Sequence, residues 1–252
     1  MKRSHNPDLS GKDFRQFPKD MQEKLLGYKF SVDILPRTAD DADVLQIFKR
    51  INATGLKLNY QELRNAEYFG YFAQSVHKLS LEQLDRWRRW KIFNENEIAR
   101  MEEVEFSGEI YILILQGLFG KTKSIIDRYY RENDDDFQHM EVCEKIFREL
   151  FDKIEEEIGE TLPRLTLRKK ALFFNLVAFF HEILYGLPGK LDKKRPNPLP
   201  RGMANALLEA DRALRENNDV PEAVQDAISR RTTHIGSRRN VLGFLKRSLS
   251  VE

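Results

Sequence analysis

The chain has 252 residues, 41% hydrophobic and 33% charged, with a net charge of +2, which fits a soluble helical protein with a real core and neither requires nor excludes a nucleic-acid partner. The apolar runs at 110–115 and 171–180 are too short or too interrupted to span a bilayer, and the N-terminus has no apolar signal segment, so we expect a cytoplasmic protein. The one cysteine, Cys143, excludes an internal disulfide, and its helical spacing from Ile146 and Phe147 predicts a buried structural thiol rather than a nucleophile.

The N-terminal part of the chain contains the one convincing strand. Residues 1–13 are polar and are predicted to be a flexible lead-in, and a short helix is expected after Pro18. Between Lys29 and Leu35, apolar residues alternate with polar ones, which predicts a β-strand. After Pro36 the pattern is helical throughout. The predicted fold is therefore mostly α, a multi-helix bundle with one short β-strand near the N-terminus.

A proline-rich segment divides the helical part of the chain, after Pro36, into two regions. Helices are predicted at about 40–53, 60–79, 81–93, 95–119, 121–132, 136–158, 166–186, 202–217, 220–232 and 237–249. Four prolines within 188–200 are incompatible with an ordinary helix, so this segment is the best candidate for a linker. The sequence thus predicts a helical core lobe at 14–187 and a basic helical tail at 201–252 that docks onto it.

The most informative stretch lies at 47–66. Apolar residues recur there at helical spacing, Gly55 stands where a left-handed residue usually ends a helix, and Asn59 followed by Glu62 has the spacing of a capping box. This pattern predicts a helix-turn-helix corner, a motif that need not touch DNA.

The residues of this corner also resemble a known family. From Phe48 to Ala66 the chain has the pattern Phe-x-Arg-Ile-Asn-x-x-Gly-x-x-Leu-x-x-x-Glu-Leu-Arg-Asn-Ala. It closely resembles the signature of the GmrSD-type restriction endonuclease N-terminal family, formerly a domain of unknown function, whose members have a ParB-like catalytic lobe. Weaker similarity extends over most of the chain. The signature residues are Phe48, Arg50, Asn52, Gly55, Leu58, Glu62, Arg64 and Asn65.

The resemblance has implications for function. Complete members of the family hydrolyse nucleotide and cut modified DNA, using a lobe with an Asp-Gly-Gln-Gln-Arg motif, and many carry a His-Asn-His nuclease domain. This sequence contains neither motif, and its five histidines are scattered singly. The resemblance therefore implies the helical lobe of a modification-dependent restriction or phage-defence protein. We expect no catalytic residue, cofactor or metal in it, and a separate ParB-like catalytic lobe or nuclease subunit as a partner. A truncated gene, a split gene and an expressed fragment would all account for such a chain.

Three groups of residues have two interpretations each. Arg64 and Asn65 either hold the preceding loop through hydrogen bonds to carbonyls or face DNA or the catalytic lobe. The cations between Arg86 and Lys91 alternate with two tryptophans, a pattern that suits single-stranded nucleic acid, but the tryptophan spacing favours a core face. His181, beside Glu182 and Tyr185, is either part of a site or, as we favour, a buried and hydrogen-bonded histidine.

The tail carries the predicted DNA-binding surface. No acidic residue occurs between Ala227 and Val251, and six cations do: Arg230, Arg231, Arg238, Arg239, Lys246 and Arg247. Such a set is expected to contact the DNA backbone without reading bases. A solvated basic face and salt bridges to the acidic segments 132–136 and 152–160 are the competing interpretations. At the level of function, the alternative is a non-catalytic protein-interaction helical domain that does not bind nucleic acid.

Overall fold

The computed structural model describes residues 12–29, 58–188, 191, 195–230 and 232–249. The chain forms two compact units, residues 1–50 and residues 51–252. In the first unit, a short 3-10 turn at Phe14–Gln16 precedes helix α1, Lys19–Leu26, which begins directly after Pro18 as expected. All regular elements within the described ranges are helical, so the prediction of a mostly α fold is confirmed and no strand is seen there.

Part of the sequence-based interpretation lies outside the described residues. This applies to the predicted strand beyond Lys29, to the predicted helix 40–53, and to the signature residues Phe48, Arg50, Asn52 and Gly55. The expected left-handed conformation of Gly55 therefore remains a prediction.

The described helices of the second unit are α2 Tyr60–Glu67, α3 Tyr71–Glu82, α4 Leu84–Arg89, α5 Glu95–Ala99, α6 Glu102–Gln116, α7 Lys123–Glu132, α8 Met140–Ile158, α9 Lys170–Tyr185, α10 Met203–Glu216, α11 Glu222–Ser229 and α12 Ile235–Ser248. They match the predicted segments closely, except that two predicted helices are interrupted. The predicted helix 60–79 is divided at Gly70, where a side-chain carbon would lie 1.9 Å from the carbonyl oxygen of Asp134, so this contact requires glycine. The predicted helix 95–119 is divided at Met101, which has a positive φ of 58°.

Helices α6 and α9 form the centre of the core. Both are buried around almost their whole circumference, and α3, α8 and α12 pack against them. Trp87 and Trp90 are completely buried among phenylalanines, and the ring of Trp87 lies 4.9 Å from that of Phe151. Their assignment to the core is thereby confirmed, and the tryptophans cannot stack on nucleic-acid bases.

The C-terminal helices belong to the same compact unit as the core. Helix α12 packs against α9, α10 and α11, and it buries Val241 and Leu245 in the common core. The tail helix α12 therefore packs directly on α9 of the helical core. This docking places the start of α12 beside α6 and α9, which determines the position of the site described next.

Candidate functional site

A cavity of about 410 Å³ lies between the start of α2, one face of α6, the start of α9 and the loop before α12. We call it the charged cavity. It is lined by Asn59, Tyr60, Gln61, Phe93, Glu102, Glu105, Phe106, Glu109, Lys121, Lys170, Ala171, Phe174, Thr232, Thr233 and Arg238. It therefore brings together residues from the signature corner and residues from the basic tail.

Helical spacing supplies the acidic side of this cavity. Glu102, Glu105 and Glu109 are separated by three and four residues, so they project from the same face of α6. The opposite side is held in place by the loop that follows α6, where the backbone N–H of Lys121 donates to the carbonyl of Thr233 at 3.0 Å. This bond joins the loop before α7 to the loop before α12 and places Lys121 against the glutamates.

Four of the six charged residues that line the cavity belong to one continuous chain of ion pairs, which begins at Arg64. Arg64 donates to Glu105 at 2.8 Å and to Asp127 at 2.6 Å. Lys121 bridges Glu105 and Glu109. Arg238 completes the chain by pairing with Glu109, and it also donates to the carbonyl of Phe119 at 3.0 Å.

The pKa values of these groups follow from burial and pairing. Burial raises the pKa of a carboxyl, but Lys121 and Arg64 beside Glu105 outweigh this and hold its pKa below the usual range. Burial alone would lower the pKa of Lys121, and the neighbouring Glu109 and Glu105 raise it instead. A carboxylate with a lowered pKa is a poor general base near neutral pH, so this arrangement suits a rigid scaffold better than proton transfer.

The described signature residues connect helices within this scaffold. The predicted capping box is confirmed: the Asn59 N–H donates to Glu62 at 2.6 Å and the Glu62 N–H donates to Asn59 at 2.8 Å. Glu62 also accepts a hydrogen bond from Arg100 at 2.9 Å. Arg64 is only 3% exposed, and it binds carboxylates on α6 and α7 rather than loop carbonyls. A structural role of Arg64 is thus supported, although its partners are carboxylates and not the carbonyls of the preceding loop.

The remaining two described signature residues are less enclosed. Leu58 is half-buried, whereas Asn65 is exposed on α2. Asn65 lines an open groove together with Phe69 and His77 of the neighbouring segment, away from the charged cavity.

Arg238 was predicted to bind DNA, and the structure corrects this prediction. It is only 2% exposed, and its guanidinium lies 3.6 Å from the centre of the Phe174 ring. Its charge is neutralised by Glu109 in the core, so it is not available to phosphate. The competing interpretation, in which this arginine pairs with an acidic segment, is also wrong, because its partner is Glu109 on α6. Within the segment 152–160, Asp152 and Glu155 pair with Arg86, and Glu155 also pairs with Arg89.

The other tail cations lie on the surface wherever the structure describes them. Arg230, Arg239 and Arg247 are exposed and form no ion pair within the described ranges. Lys246 is exposed and pairs with Glu182 at 2.5 Å. Arg231 lies outside the described residues. Within the described part of the tail, three of the six predicted contact residues are therefore accessible and unpaired.

Three further titratable groups are buried away from the charged cavity. Cys143 is buried, and burial raises the pKa of its thiol to about 12, which confirms a structural rather than a nucleophilic cysteine. His181 is fully buried as expected, with a pKa lowered by burial to about 4, but its ring nitrogens form no hydrogen bond of normal geometry to the described residues. Glu103, which the sequence did not single out, is buried, and burial raises the pKa of its carboxyl to about 7.

The described residues contain no metal site, and comparisons with known proteins gave no match. In the described part of the chain, no group of three or more histidine, cysteine, aspartate or glutamate residues is arranged to hold a metal ion. No helix there is both long enough and apolar enough to cross a membrane. A scan of protein-family models, a search of curated proteins and a search of solved structures each found no match. The resemblance to the GmrSD-type family therefore remains a prediction that depends on the signature residues.

Proposed function

We propose that this chain is a DNA-associated helical lobe of a GmrSD-like, modification-dependent restriction or phage-defence protein, and that it has no catalytic centre of its own. The observation that carries the DNA contact is the accessibility of Arg230, Arg239 and Arg247. Each is exposed and unpaired within the described ranges, and they lie in a tail segment without acidic residues. Cations of this kind bind phosphates by releasing counterions, without reading the base sequence.

The scaffold role is supported by the connections of the signature helix. Glu62 connects α2 to Arg100, and Arg64 connects it to α6 and α7. These contacts engage the polar atoms of Glu62 and Arg64, which are therefore not available to base edges, whereas Asn65 stays exposed. In this proposal the signature corner therefore positions other surfaces, and the tail makes the backbone contacts. The proposed partner is a ParB-like catalytic lobe or a nuclease subunit, which would supply the chemistry.

The test of DNA binding uses a triple variant of the accessible tail arginines. In Arg230→Ala, Arg239→Ala, Arg247→Ala, binding to duplex DNA should weaken equally for all sequences. The slope of log K against log salt should fall by about one for each phosphate that the variant no longer binds. Fluorescence anisotropy with duplexes of unrelated sequence, measured between low and moderate salt, gives both quantities.

The matched control removes three arginines whose charges already have partners. Arg128, Arg212 and Arg215 form exposed ion pairs with glutamates on α7 and α10, so their replacement by alanine changes the net charge equally. The control variant should retain most of the affinity. If the tail variant binds as tightly as the control, the tail does not contact DNA.

The second candidate function is protein interaction without nucleic acid. The observation that favours it is a set of large apolar side chains exposed around the start and end of α3: Phe69 is 69% exposed, Tyr71 51% and Leu81 52%. Such side chains are frequent at interfaces between proteins. This candidate becomes the better one if the unaltered chain has no salt-dependent affinity for duplex DNA.

A further inference from the structure

A second basic surface forms where the turn after α4 meets the start of α9. A groove of about 490 Å³ at this place is lined by five cations, Arg88, Lys91, Arg168, Lys169 and Lys170, which we call the basic groove. The two segments are 77 residues apart in sequence at their hydrogen-bonded contact, in which the Arg168 guanidinium donates to the Lys91 carbonyl at 3.0 Å. The fold therefore concentrates positive charge that the sequence distributes over two regions.

Three of these cations have no acidic partner within the described ranges. Arg88 pairs with Glu95, and Lys170 pairs with Glu97 and Glu102 at 2.6 Å each. Lys91, Arg168 and Lys169 form no such pair. The paired cations define the walls of the groove, and the unpaired ones leave it with a positive excess.

Lys91 occupies a backbone position that favours glycine. Its φ is +57°, and it follows Trp90, the C-cap of α4. The two bonds of a Schellman motif are present, because the Lys91 N–H donates to the carbonyl of Arg88 and the Ile92 N–H to that of Trp87, both at 3.1 Å. Glycine adopts this conformation without steric cost, whereas a residue with a side chain is strained there. The backbone of this turn therefore does not explain the presence of a lysine, so a role of its side chain is the better explanation.

Lys169 is similarly unfavourable for the helix that it precedes. It occupies the N-cap of α9, where its side chain makes no capping hydrogen bond, and the first turn of α9 contains no acidic residue. Serine, threonine, aspartate and asparagine are the residues that stabilise this position, and positive charge opposes the positive end of the helix dipole. A bound anion would relieve this repulsion.

We propose that the basic groove is a second contact for the phosphates of a nucleic-acid backbone, made by Lys91, Arg168 and Lys169. The inference rests on the proposed function, because it extends the DNA contact of the tail. The basic groove and the charged cavity share Phe93 and Lys170, and Thr232 and Thr233 of the tail line the charged cavity. The basic groove therefore adjoins the charged cavity, which the loop before α12 also lines. The nearby tryptophans are buried and cannot stack on bases, so we infer phosphate contact without base selectivity.

The test replaces the two unfavourable lysines with the residues that the backbone prefers. In Lys91→Gly, Lys169→Ser, glycine suits the left-handed turn and serine suits the N-cap, so the thermal midpoint should be unchanged or higher. Affinity for duplex DNA at about 50 mM salt should fall roughly tenfold, and the salt slope should fall by about two. A loss of binding with no loss of stability is the result that a purely structural role would not produce.

The control variant removes two lysines from α8. Lys145 and Lys153 pair with Glu149 and Glu156, so Lys145→Ala, Lys153→Ala lowers the net charge equally without altering the basic groove. Its affinity should stay within about twofold of the unaltered chain, as expected for a distant, already paired charge. Equal affinities of the groove and control variants would overturn the groove proposal.

The remaining outcomes separate the two proposals. If the tail variant loses affinity and the groove variant does not, the groove proposal fails and the proposed function stands. If the unaltered chain does not bind duplex DNA, both fail. Binding to vesicles that contain phosphatidylserine, without binding to DNA, would assign the groove to a lipid surface and overturn the proposal. If the double variant unfolds, Lys169→Ser alone decides, and unchanged affinity in that folded variant would overturn the inference.

Discussion

The charged cavity and the outer face of α12 contain the same residue type in opposite environments. Arg238 and Arg239 are neighbours in sequence, yet one is 2% exposed and paired with Glu109, while the other is exposed and unpaired within the described ranges. One step along a helix turns a side chain by about 100°, which is enough to move it from the surface to the core. Positive charge counted along the sequence therefore overestimates the positive charge that a partner can reach.

The largest effect is expected when the buried arginine of this pair is replaced. Arg238→Ala should lower the free energy of unfolding by about 3–5 kcal/mol, because it leaves Glu109 with a buried charge that Lys121 alone must neutralise. It also removes the contact with the Phe174 ring. Urea unfolding followed by circular dichroism measures the change from the midpoint and the slope.

Arg239→Ala is the matched control for this variant. It lies one residue further along the same helix and is exposed, so its removal should change the free energy of unfolding by no more than about 0.5 kcal/mol. A loss below about 1 kcal/mol for Arg238→Ala would contradict the assignment of this arginine to the core network.

An intermediate effect is expected for Glu103, a buried acid without a salt-bridge partner among the described residues. Burial raises the pKa of its carboxyl from 4.5 to about 7. Below pH 4.5 the carboxyl is neutral in both the folded and the unfolded chain, so the fold carries no penalty. As the pH rises to about 7, the unfolded chain ionises first and the folded chain loses up to about 3 kcal/mol of stability. Glu103→Gln should abolish this loss, so that the variant becomes the more stable protein at pH 8.

Unfolding in urea at several pH values between 4 and 8 measures this dependence. Glu141→Gln, on the exposed side of α8, is the control and should leave the pH dependence of the unaltered chain unchanged. If Glu103→Gln loses stability over the same pH range as the unaltered chain, burial of Glu103 is not the cause.

The helical elements were predictable from the sequence because their signals are local. The spacing of Trp87 and Trp90 indicated a core face, and Asn59 with Glu62 indicated the start of a helix, since in each case the interacting residues are three apart. The interruption at Gly70 was not predictable, because it depends on the carbonyl of Asp134, which comes much later in the chain.

The candidate sites were less predictable than the helices. Arg238 looked like a surface residue because its partner, Glu109, is 129 residues away. The basic groove could not be assembled from the sequence for the same reason, since Lys91 and Arg168 meet only after folding. Glu102, Glu105 and Glu109 did carry a local signal, because their spacing places three acids on one face of an otherwise apolar helix. Such a pattern indicates that cations from elsewhere in the chain will cover them.

The smallest expected effect compares two of the six predicted DNA-binding cations, Lys246 and Arg238, which both pair with a glutamate. Lys246 pairs with Glu182 in an exposed position, whereas Arg238 pairs with Glu109 in a buried one. Double-mutant cycles with alanine should give a coupling energy below about 1 kcal/mol for Lys246 and Glu182, because solvent screens the pair and holding the side chains together costs entropy. That coupling should disappear in about 1 M NaCl, where the Debye length is about 3 Å, while the coupling of Arg238 and Glu109 should persist. If both couplings decline with salt to the same degree, the charged cavity is as open to solvent as the surface of α12, and the distinction between the two regions fails.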